Sequence, residues 1–88
     1  MDEQSRKVTA VNIIRRWGKH VNELAYRVSY YEALDKSIIT KEDEEELEKT
    51  RKQLDFFMKY LKCSEDVIME LGLLDAAEIR KILWSLGE

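Results

Sequence analysis

The sequence predicts an all-α protein: a long antiparallel helical hairpin with two short C-terminal helices packed on it, a small helical bundle. Three observations point there. Apolar residues recur at alternating spacings of three and four along most of the chain, as a buried helical face requires. The 88 residues contain no proline and only three glycines, which suits long helices and not turn-rich sandwiches or barrels. Polar cap residues punctuate the pattern at Ser5, Thr40, Ser64 and Asp75.

The first element is expected over about residues 5–36. Val11, Ile14, Val21, Leu24, Ala25 and Val28 form its stripe, with Trp17 and Tyr31 at the edge. Gly18 interrupts the stripe at a cost of roughly 1 kcal/mol against alanine. It marks a kink, a close helix crossing or a true break, in which case Asn22 caps a second helix; one long helix is the favoured reading. Residues 37–40 connect to a second helix, about 40–62, with Thr40 and Asp43 spaced as a capping box. Glu42 to Glu46 crowd its first turns, where the helix dipole favours negative charge. Leu47, Leu54 and Leu61 repeat every seven residues, and the short connection favours an antiparallel neighbour. Ser64 is expected to cap a third helix, 65–71, ended by Gly72. Asp75 is expected to cap a fourth, 76–86, with Ile79, Ile82, Leu83 and Leu86 as its apolar face and Gly87 beyond it.

These elements make one domain over residues 1–88. A chain this short buries only about 60–65% of its unfolded surface, so added helix burial on a partner or a second copy would stabilise it. With 44% hydrophobic and 38% charged residues the chain is expected to fold. Its net charge of −3 argues against broad binding to nucleic acid. No apolar run is long enough for a signal peptide or membrane span. One cysteine, Cys63, forms no internal disulfide framework. A cytoplasmic, intracellular location is therefore expected, the nucleus included.

No enzyme is expected. The single histidine, His20, and the single thiol, Cys63, belong to no catalytic motif. His20 is read as a partly exposed surface residue and Cys63 as a small buried one at a helix junction. Two Cys and His residues cannot complete a structural zinc site. Residues 42–48 lack the alternation and central glycine of a calcium loop. There is no phosphate-binding glycine loop or nucleophile elbow, so no metal, cofactor or small-molecule substrate is expected.

Nucleic acid is the alternative ligand. Residues 6–27 hold six cations, Arg6, Lys7, Arg15, Arg16, Lys19 and Arg27, against one acid, Glu23. The C-terminal stretch has a helix-turn-helix rhythm whose last helix offers Arg80 and Lys81. A DNA-binding regulator would use Arg15, Arg16, Lys19, Arg80 and Lys81.

The aromatic residues favour another ligand class. Tyr26, Tyr30 and Tyr31 cluster near the end of the first helix, Phe56, Phe57 and Tyr60 near the end of the second, and Trp84 near the C-terminus. Adjacent helical residues point about 100° apart, so one seam cannot hide Tyr30 with Tyr31 or Phe56 with Phe57. The surplus is either covered by the short helices or presented to a partner. The leading expectation is a non-enzymatic protein-interaction module, a homodimer or a regulatory adaptor, anchored by Trp17, Tyr30, Tyr31, Phe56, Phe57, Tyr60 and Trp84.

Three short strings, Glu32-Ala33-Leu34-Asp35, Ile39-Thr40 and Val67-Ile68-Met69-Glu70, resemble the small helical domain at the N-terminus of transcription elongation factors, including the integrase-binding domains of chromatin tethers. The resemblance lies in the run from Ser37 to Trp84. It implies a helix break near Gly18 and binding of short disordered peptides through interhelical loops.

Overall fold

Asp2, Thr40 and Asp75 each stand in extended backbone and accept a hydrogen bond from the amide three residues on, and a helix begins after each of them. The structure is a computed structural model that describes residues 2–87. Its helices are α1 (Glu3–Ala33), α2 (Lys41–Glu70) and α3 (Ala76–Leu86). Thr40 with Asp43 and Asp75 with Glu78 are full capping boxes, each side chain bonding the other's backbone N–H. The Ser5 amide donates to Asp2 and holds that carboxyl below its ordinary value.

α1 and α2 lie antiparallel. Glu32 pairs with Arg51 near the turn, Trp17 stacks on Phe57 midway, and Ile13 lies beside Val67 towards the other end. Between them residues 34–40 form the turn, where the Ser37 amide donates to Asp35 at 2.9 Å. Gly72 follows the C-cap of α2, Leu71, and its φ of +72° suits a residue without Cβ. The Gly72 amide donates to the Met69 carbonyl and the Leu73 amide to the Ile68 carbonyl, which closes a Schellman turn. That turn sends the chain back, and α3 packs mainly on α1.

The core joins all three helices near the start of α1 and the end of α2. Ala10, Ile14, Leu61, Ile68, Leu74 and Ile79 are buried together. Gly18 is the point of closest approach: a Cβ there would stand 2.6 Å from Leu83 Cδ2 and 2.8 Å from Leu86 Cδ1. The glycine therefore marks a helix crossing, and α1 runs through it unbroken, so Asn22 caps nothing.

Several boundaries differ from expectation. The expected helix 65–71 is the last stretch of α2, so one short C-terminal helix packs on the hairpin instead of two. The Ser64 hydroxyl caps nothing; it donates to the Tyr60 carbonyl 3.0 Å away, inside the helix. The seven-residue leucine repeat simply continues to Ile68, and nothing in residues 62–65 breaks a helix as proline or glycine would. Cys63 is accordingly exposed on mid-helix and not buried at a junction. Asp2, not Ser5, caps α1, and α1 ends at Ala33 instead of residue 36.

Candidate interaction surface

Trp17 and Gly18 are neighbours, so they point about 100° apart on α1. Gly18 faces α3, which leaves Trp17 on the opposite flank of the hairpin. There its ring stacks on Phe57 at 5.5 Å and tilts against Tyr60 at 4.8 Å. His20, one turn on, sets its ring edge-on to Phe57 at 4.5 Å, and Phe56 meets Phe57 at 5.2 Å. Such pairs contribute about 0.5–1.5 kcal/mol each beyond area burial. His20 is thus partly exposed, as expected, with its ring set into an aromatic cluster beside Trp17. Arg16 lies over the Trp17 ring at 5.7 Å, a cation–π contact.

This cluster is one end of an apolar groove between α1 and α2. Two adjoining concavities, of about 310 Å³ and 430 Å³, share Ile13, Val67 and Ile68. Trp17, Tyr60, Cys63 and Ser64 extend the groove one way; Arg6, Thr9, Ala10, Leu71 and Leu73 extend it the other. No residue of α3 lines it. Tyr60, Val67 and Leu71 in its lining are 46%, 54% and 66% exposed, and Phe56, against Phe57 in the cluster, is 61% exposed. Arg6 is the one charged residue in the lining.

The anchors expected from sequence separate in space. Trp17, Phe56, Phe57 and Tyr60 come together. Tyr30 and Tyr31 pair edge to face at 5.5 Å near the hairpin turn, away from the groove. Trp84 stands 75% exposed on α3, the opposite flank. α3 covers neither Phe56 nor Tyr60, so the surplus aromatic surface faces solvent. Ile13, Val67 and Leu71 were not foreseen as part of this surface.

The cations are also divided. Arg16 and Lys19 border a shallow depression with Trp17, His20 and Glu23. Arg15 is exposed on α1. Arg80 lies in a separate depression between α2 and α3, beside Glu65 and Asp66, and Lys81 is exposed next to it. Carboxylates in that depression oppose a phosphate backbone. The helix before the Schellman turn is also the end of a 30-residue rod, not the short first helix of a DNA-reading pair.

Among the described residues, no three His, Cys, Asp or Glu side chains are arranged to hold a metal ion. Among the same residues, no helix is long and apolar enough to cross a membrane. Comparison with protein-family models, curated proteins and solved structures finds no match. The likeness to elongation-factor domains thus rests on three short strings, and the break it implies near Gly18 is absent.

Proposed function

We propose that this chain is a non-enzymatic protein-interaction module that works through the apolar and aromatic flank of its hairpin, on a partner protein or a second copy. The observation that carries this reading is the groove itself, with three exposed large apolar side chains, Tyr60, Val67 and Leu71, in its lining on a face that α3 leaves open. The surface as a whole supports it. The chain exposes 6951 Å², against about 5,400 Å² for a typical folded monomer of its mass. Its radius of gyration is 16.3 Å, against about 12 Å for a compact chain of this length. The excess, about 1,500 Å², exceeds the roughly 800 Å² that each partner buries in a standard interface.

The test uses Val67→Glu combined with Leu71→Glu. Both side chains are largely exposed, so folding should change by no more than about 0.5 kcal/mol each, checked by circular dichroism and thermal melting. Proteins captured from the native cell on the unaltered chain should be lost from this variant. An Arg80→Glu, Lys81→Glu control, altered on the opposite flank, should keep them. Equal capture by all three would overturn the reading.

A further inference from the structure

The groove has a charged rim as well as an apolar floor, and the rim narrows what can fill it. Arg6, Thr9, Ile13, Arg16 and His20 follow one another at spacings of three and four, so they form one line along this flank of α1. Between Glu3 and Glu23, α1 carries five cations and no carboxylate. Across the groove, the α2 rim offers Tyr60, Cys63 and Val67, and nearby Lys59 is already paired with Asp55 at 3.1 Å. A basic rim on one side only, on a chain whose net charge is −3, is a local arrangement and not a bulk property.

From the level of Arg6 to that of His20 the groove runs roughly 21 Å, fourteen residues at 1.5 Å each, or about four helical turns. On the other flank of the same hairpin, α3 packs mainly on α1 with a helix of eleven residues. The groove is therefore a helix-sized seat without a helix. A second copy fits it poorly in one of the two symmetric face-to-face pairings. Face-to-face pairing about a two-fold axis that runs across the hairpin lays α1 against α1 antiparallel, which brings the two basic rims together. Like charges so placed cost affinity.

We infer that the groove between Ile13, Trp17, Tyr60, Val67 and Leu71 receives an amphipathic helix of about four turns from a different protein, with acidic residues on the side that meets Arg6 and Arg16. Its apolar stripe covers Val67, Leu71 and Tyr60, as in helix-in-groove recognition. Its carboxylates take the two guanidinium groups, Arg16 keeping its place over Trp17. The inference rests on the interaction-module reading and commits that reading to one partner chemistry.

Two synthetic helices test it. Both carry the same leucine and isoleucine stripe over about sixteen residues; one has glutamates along one flank, the other lysines. Trp84→Phe leaves Trp17 as the only tryptophan and serves as the fluorescent background. The acidic helix should bind with a dissociation constant in the micromolar range, shift Trp17 emission, and weaken as salt rises. The basic helix should bind at least about tenfold more weakly. Arg6→Glu with Arg16→Glu should reverse that preference, and Val67→Glu with Leu71→Glu should abolish binding of both. Equal binding of the two helices, or binding of neither, overturns the inference. Sedimentation over a concentration series supplies the separate arm. A dimer that Val67→Glu with Leu71→Glu dissociates overturns the acidic helix as occupant yet upholds the interaction module. A strict monomer that also captures nothing in the preceding experiment removes both.

Discussion

The two ends of the hairpin share a seam but not a core. Near the start of α1 and the end of α2, α3 packs on α1, and Ile14 has no exposed surface at all. It is enclosed with Leu61, Ile68, Leu74 and Ile79. Towards the turn α3 reaches only as far as Leu86, beside Asn22 and Tyr26. Leu24, Val28 and Thr50 are buried on the seam, but Leu47, Leu54 and Tyr31 beside them are only half covered, and Tyr30 and Ile38 are exposed. Two helices in contact bury one stripe each, and a stable layer needs a further element to cover the flanks. What holds the turn end is mostly local: the Thr40–Asp43 capping box, the half-exposed Arg51–Glu32 pair at 2.7 Å, and the Thr50 hydroxyl donating to the Glu46 carbonyl. A cap contributes about 1 kcal/mol and an exposed ion pair less. The chain is a small three-helix core with a two-helix arm.

The sharpest test compares one residue from each end. Ile14→Ala removes a side chain packed on by three helices and should cost about 3–5 kcal/mol; Leu24→Ala, buried between two helices near solvent that can follow it in, should cost nearer 2 kcal/mol. Urea unfolding monitored by circular dichroism gives both values. Native-state amide exchange extends the comparison, since seam amides in residues 24–50 should open well below the global unfolding energy and those around Ile14 and Leu61 should not. Equal costs, with uniform protection along the hairpin, would break the distinction between core and arm.

Gly18 sits where the core ends, and the next largest effect is expected there. Alanine would gain about 1 kcal/mol of helix propensity. Its methyl would also stand well inside contact distance of Leu83 and Leu86, and crowding of that kind costs about 1–3 kcal/mol. Gly18→Ala should therefore destabilise by about 1 kcal/mol, with the loss confined to α3. Faster amide exchange in residues 79–86, with no change near Leu24, is the result to look for. A more stable protein would mean that α3 is held too loosely to matter.

The sequence made the framework legible where local chemistry writes it. Thr40, Gly72 and Asp75 end or begin helices because each has a side chain, or lacks one, that a helix terminus needs. The antiparallel pairing, the unbroken first helix and the bounds of α3 follow from that. Ser64 was misleading because serine caps helices and also sits inside them bonded to the carbonyl four residues back, and only the tertiary partners of Leu61 and Ile68 decide between the two. The groove was harder to see. Periodicity shows that α1 has more apolar surface than one seam can use, but not which flank α3 will take. Gly18 held that information: a small residue inside an apolar stripe marks the side of close approach, and so assigns the other side, with Ile13, Trp17, Val67 and Leu71, to the open flank. Arg6 and Arg16 carried no local signal, because a rim exists only once the groove does.

Acid separates the two ends by sign. At the core end, burial near α3 raises the Glu65 carboxyl above its ordinary value; Lys62 opposes the shift and Asp66 adds to it. The folded state then binds that proton more tightly than the unfolded chain, so the charged form costs stability above the raised value, and the cost vanishes as pH falls through it. Glu65→Gln should stabilise at neutral pH by no more than about 0.5 kcal/mol, with the gain fading in acid. At the arm, the Ser37 amide donates to exposed Asp35 and lowers its carboxyl. That contribution is present above the unfolded value and is lost as pH falls through the lowered one. Asp35→Asn should therefore destabilise at neutral pH, with the difference from the parent closing in acid. Melting both variants between neutral and acid pH should give curves that approach the parent from opposite sides. Curves on the same side would mean that α3 does not desolvate Glu65, and that the core end is as open to water as the arm.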